Sequence, residues 1–91
     1  MEFRAAGASP SGQVALAYAR GSGSHGITNP LTGNSILTDL SPLAFGIGAT
    51  GVTDAQGAIV FPVFVPAAAA GSFQVQVLDG TTDTVSNPMP L

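Results

Sequence analysis

Apolar and polar positions alternate along this chain with a period of two. The pattern is clearest at residues 72–79, SFQVQVLD, where Phe73, Val75 and Val77 share one side and Gln74 and Gln76 the other. Successive side chains of a strand point to opposite faces, so this run predicts a strand with its glutamines outward. Residues 13–20, QVALAYAR, place Val14, Leu16 and Tyr18 on one face, read as core, and three alanines on the other. In PLAFGIGAT, 42–50, Leu43, Phe45 and Ile47 alternate with Ala44, Gly46 and Gly48. Shorter extended candidates are Phe3 to Ala6, Ile36 to Leu40 and Thr84 to Leu91.

The stretch AIVFPVFVPAAAAG, 58–71, is apolar at every position. Ile59, Phe61, Val63 and Val65 fall on one face, and Val60, Pro62 and Phe64 on the other. Its apolar run is too short for a membrane span, which needs ~20 residues, and Pro62 and Pro66 would break a helix. A strand apolar on both faces is covered on both or meets a neighbouring subunit. Pro62 has no N–H for the ladder, so the strand belongs at a sheet edge or carries a bulge. Residues 67–71 offer one helical turn, too little for a stable helix.

Turn signals punctuate these runs at 9–12 (SPSG), 53–57 (TDAQG) and 79–83 (DGTTD). Gly, Pro, Asp and Ser in such clusters set the backbone of tight turns. About six or seven short strands so spaced predict an all-β fold, a small antiparallel β-sandwich forming a single domain over 1–91. Residues 20–35, RGSGSHGITNPLTGNS, show no period and read as a long loop crossing between sheets, with ligand binding or subunit contact as its functional alternatives.

Composition narrows the function classes. The chain is 45% hydrophobic but only 8% charged, with a net charge of −3, no Lys and no Cys. Ordinary domains carry ~25% charged residues. Without a basic patch, nucleic acid is not an expected partner. No basic and then apolar leader opens the chain, and Met1 to Phe3 fit a cloning remnant. An uncharged surface rich in Ser, Thr, Gly and Ala points to a secreted or surface-displayed protein.

Catalytic and metal templates fail. His25 stands alone among Gly and Ser, and is expected to be exposed and non-catalytic. One His and no Cys leave no zinc set. Asp54, Asp79 and Asp83 read as turn formers. GIGATG, 46–51, fits G-x-G-x-x-G as a string, but a hairpin and strand follow where that motif requires a helix. No catalytic residue, cofactor or metal is assigned.

Several features, taken in order, resemble an Ig-like β-sandwich module found at the ends of secreted and surface bacterial proteins. They are a G-x-x-P-x-G entry to the second strand (Gly7 to Gly12), and D-x-x-G before an apolar strand ending in Val-Pro (Asp54 to Gly57, then Val65-Pro66). A Gly precedes QVQVLD, and Ser86-Asn87 precede the last strand. Many relatives carry Cys in the long central loop, and this chain has none. The resemblance implies an extracellular, non-catalytic β-domain.

Natural edge strands are blunted by charge, especially Lys, and by Pro. This chain has no Lys, so the expectation is a structural subunit that self-assembles into a filament or surface array. Val60, Phe64, Met89 and Leu91 are its candidate interface residues. The alternative is a ligand- or glycan-binding module using loop 20–35, although the chain has no Trp and a single Tyr to serve as a sugar platform.

Overall fold

The computed structural model of the chain describes residues 2–62, 73–86 and 88–90. Among them there is no helix, and every strand pairing is antiparallel, as the alternation predicts. The described residues form nine strand segments: β1 (Glu2–Ala5), β2 (Gln13–Ala19), β3 (Ser22–Thr28), β4 (Ser35–Leu40), β5 (Gly46–Val52), β6 (Ile59–Pro62), β7 (Gln74–Asp79), β8 (Thr84–Val85) and β9 (Met89–Pro90). The expected six or seven becomes nine for two reasons. The presumed loop contains β3, and the C-terminal strand is split into β8 and β9.

The central sheet runs β5-β2-β7, with β8 and β9 on the far side of β7. β1 pairs with β6, and β3 with β4. Val14, Leu16 and Val75 of the central sheet pack with Phe61, joined by Phe3 and Ile59 of the β1–β6 ribbon. From the opposite face Ala17, Ala19 and Leu78 pack with Leu40, Ile27 and Val85. Thus β2 is covered on both faces, with larger side chains toward β1–β6 and alanines toward β3–β4. The small alanines let the β3–β4 hairpin approach closely. Full burial of side chains such as Phe61, Leu16 or Leu40 contributes about 1.5–3 kcal/mol each.

Several expectations from periodicity are corrected. Tyr18 is not core: it is 37% exposed. Gln76 does not face outward: it is 1% exposed, its amide held between β4 and the strand pair beyond β7. Its Nε2 donates to the Ser86 carbonyl (2.5 Å) and to Asp39 Oδ2 (3.1 Å), while its Oε1 accepts from the Asp39 N–H (3.2 Å). Alternation cannot distinguish a solvated glutamine from one turned to a second sheet. Residues 22–28 are a strand, because an uncharged Ser/Gly hairpin arm can be extended by its partner β4 without an apolar period of its own. The strand expected at 42–50 lies at 46–52, leaving Leu43 exposed before it. Phe45 and Phe73 are half-buried, whereas Phe61 is core. The helical turn placed at 67–71 lies outside the described residues.

β8 and β9 act as one interrupted strand along β7. Leu78 and Asp79 pair with β8, and Gln74 and Val75 with β9. Between them the Val77 N–H donates to Ser86 Oγ (3.0 Å), and the Ser86 N–H donates to the Val77 carbonyl (2.9 Å). A serine hydroxyl therefore bridges the ladder between the two segments.

Candidate functional site

The three turn signals converge at one end of the molecule, where they hold loops together. The Ser9 N–H donates to Asp79 Oδ2 (2.9 Å), and the Thr81 N–H to Asp79 Oδ1 (3.0 Å). Burial raises the Asp79 pKa, but these N–H groups outweigh it and leave it below the ordinary value. Asp83, held at φ 56°, accepts from Asn29, Thr32 and Asn34 side chains, which lower its pKa. Asp54 accepts from the Ala58 and Gln56 N–H groups, which lower its pKa too. Asp54 and Asp79 bond N–H groups of their own turns, as turn formers do, whereas Asp83 accepts from the 29–34 turn and Asp79 also from Ser9, so these two tie distant loops together. Among the described residues no group of three or more His, Cys, Asp or Glu could hold a metal ion.

His25 is half-buried rather than exposed. Its Nδ1 lies 2.9 Å from the Leu40 carbonyl, and its ring stacks edge-on to Phe45 at 4.6 Å. An Nδ1–H that donates to a backbone carbonyl fastens β3 to β4. The one hydroxyl beside the ring, Thr38 Oγ1 at 3.3 Å from Nδ1, is fully buried and also bonds the His25 and Leu40 carbonyls, a structural placement.

The feature without an internal explanation is β5. It pairs with β2 on one side and with no strand on the other, among the described residues. Its sequence, GIGATGV, contains neither a charged residue nor proline, and no ionisable residue occurs from Leu40 to Thr53. Among the described residues the other open edges are guarded or polar. β1 carries Arg4, β6 carries Pro62, and β4 carries Asp39. β3 is free of charge and proline and, like β5, has a register shift, but it exposes Ser, Gly and Thr rather than large apolar side chains, and the β8–β9 edge contains Pro88 and Pro90. Charges, prolines and irregularities are the devices that keep edges from pairing. β5 has only a bulge.

That bulge arranges its side chains. The pairing with β2 steps from Leu16↔Ala49 to Ala17↔Ile47, skipping Gly48. One extra residue reverses the alternation. Ile47, Thr50 and Val52 therefore lie opposite Ala17, Ala15 and Gln13, all on the face toward β3–β4. β4 packs against β7 and β8, and Ile27 and Ile36 of the hairpin face β5 across a gap. The uncovered strip is an open groove of about 470 Å³, lined by Ile47, Thr50, Val52, Ile27, Ile36 and Leu31 among others, none of them ionisable. Ile47, Val52 and Leu31 are 46%, 61% and 52% exposed.

On the opposite face Tyr18 covers the strand's glycines. Its ring occupies the space beside Gly46 and Gly48 where side chains would otherwise stand. Its ring centroid is 6.0 Å from that of Phe73, over which the Arg20 guanidinium sits at 5.7 Å. The glycines thus account for the exposed Tyr18, and the aromatic stiffens an otherwise weak edge strand.

The four interface candidates from the sequence are not brought together. Val60, 44% exposed, lies on β6 opposite Arg4, while Met89, 45% exposed, lies on β9 opposite Val75, in another sheet. Phe64 and Leu91 lie outside the described residues. The β5 edge and its groove were missed, although the charge-free run 40–53 was a signal for them. The bulge that orients Ile47 was not readable. GIGATG runs through β5 as a strand, with no phosphate loop. Comparison of the chain with protein-family models, curated proteins and solved structures gave no match.

Proposed function

We propose that this chain is a non-catalytic structural subunit, secreted or surface-displayed and Ig-like in type, which self-assembles by adding a strand to β5. The observation that carries the reading is the seven-residue uncharged edge of β5 beside an apolar groove. An extended segment added there gains main-chain hydrogen bonds along the edge and places alternate side chains in the groove. The absence of Lys removes the commonest defence against such pairing.

The extracellular assignment rests on the charge-poor, Cys-free composition and on the resemblance of the turn motifs. The glycan-binding alternative loses its main feature, because much of 20–35 is committed to β3 and its ladder with β4.

The test is sedimentation velocity of the purified chain against Thr50→Lys. Thr50 is exposed, so the variant should fold and melt like the parent. The reading expects the parent to sediment as an oligomer and the variant as a smaller species. A parent that stays monomeric at high concentration contradicts it.

A further inference from the structure

Resting on the proposed assembly through β5, we infer that the strand added to β5 is β5 of a second copy, paired antiparallel about a two-fold axis near Ala49 and Thr50. Two observations select this occupant.

The first is elimination among the chain's own edges. A head-to-tail joint would need another strand of the neighbour to donate an unbroken ladder. Among the described edge strands β1, β4, β6 and the β8–β9 edge carry a charge or a proline, and β3, uncharged and proline-free like β5, exposes Ser, Gly and Thr but no large apolar side chain; β5 alone joins an uncharged, proline-free edge to exposed Ile47 and Val52. Joining two β5 edges therefore buries no ionisable side chain and opposes no like charges across the joint.

The second is charge at the ends. Arg20 follows β2 at the end of the sheet where β5 starts, its N–H donating to the Leu43 carbonyl at 2.9 Å and its guanidinium lying over Phe73, which precedes β7. Asp54 lies just past the end of β5, beyond Val52 and Thr53. Antiparallel pairing brings the Arg20 end of each copy toward the Asp54 end of the other. Parallel pairing would place like with like. Opposite charges at a rim steer association and fix orientation.

A two-fold contact closes on itself, so the joint makes a dimer with one continuous central sheet. Pairing about this axis sets Ile47 of one copy beside Val52 of the other and brings the two Thr50 residues close together. A filament or array would then be built from dimers, through a second surface.

The chain has no Cys, so single cysteines report unambiguously. Under mild oxidation Thr50→Cys should form disulfide-linked dimers. Val52→Cys alone should not, but Val52→Cys mixed with Ile47→Cys should. Ser24→Cys, exposed on β3, is the control and should remain unlinked. The un-oxidised parent should sediment as a dimer or a multiple of it. If Thr50→Cys and the mixture behave like the control while the parent still sediments as an oligomer, the two-fold inference is overturned and assembly by another route stands. If the parent is monomeric throughout, the assembly reading fails with it.

Discussion

Gly57 lies against the backbone of Ala8, so closely that a Cβ on Gly57 would overlap the Ala8 carbonyl. The Ala8 N–H in turn donates to the Gly57 carbonyl (3.2 Å), so the turn before β6 and the loop after β1 lock together. Gly57 has φ +76° and Gly7 has φ +77°, but nothing stands within 4 Å of a Cβ at Gly7. Gly7→Ala should therefore cost only the left-handed backbone penalty, about 1–2 kcal/mol. Gly57→Ala should cost clearly more, because the backbone must also move. Urea unfolding of the two variants measures the difference, and equal losses would contradict the close approach.

Asp79 ties β7 to both neighbouring loops through two N–H donors. Asp79→Asn keeps the shape but turns an NH2 toward one of them, for an expected loss of about 1–3 kcal/mol. Equilibrium unfolding at neutral pH checks the figure.

The pH dependence follows from the three lowered carboxylates, Asp54, Asp79 and Asp83. A folded-state pKa below the unfolded value means that the unfolded chain binds more protons, so stability rises with pH there. The contribution is complete above the unfolded value, near 3.8, and is lost as pH falls through the lower folded values. Melting temperature should be flat from neutrality to about pH 5 and should fall below about pH 4. Asp79→Asn should show a shallower acid decline than the parent.

Gln76 gives a sharper test of the buried amide. Gln76→Glu replaces an N–H donor with a carboxylate facing the Asp39 carboxylate and the Ser86 carbonyl. Burial and that neighbour should raise the new acid's folded pKa. The variant should be strongly destabilised at neutral pH, and its deficit against the parent should shrink as pH falls through the range where the new acid protonates. A constant deficit across pH would contradict the network.

Phe61 and Val60 are adjacent on β6 but face opposite ways. Phe61→Ala should cost about 3–5 kcal/mol, whereas Val60→Ala should stay within about 0.5 kcal/mol. Chemical denaturation of the two proteins compares them directly.

The β class and the inward face of β6 were legible because period-two alternation marks any strand with one covered face. β3 was not legible, because a Ser/Gly arm carries no apolar signal and is extended by its partner. Tyr18 and Gln76 misled for a shared reason: their surroundings are set by other strands. Glycines in β5 leave Tyr18 only partly covered, and Asp39 and Ser86 make a buried site polar. Of the candidate site, the missing charge between residues 40 and 53 was visible. The bulge at Gly48 and the gap between the β3–β4 hairpin and β5 were not, since both arise from pairing across the fold.

The central claim is that the outer edge of β5 is covered in the assembled protein. Amide hydrogen exchange, followed at rising protein concentration, reads this edge directly. The account predicts that exchange across residues 46–52 slows as concentration rises, while exchange in β4 and β6 does not change. Exchange in β5 that is independent of concentration, up to the highest soluble level, would contradict it.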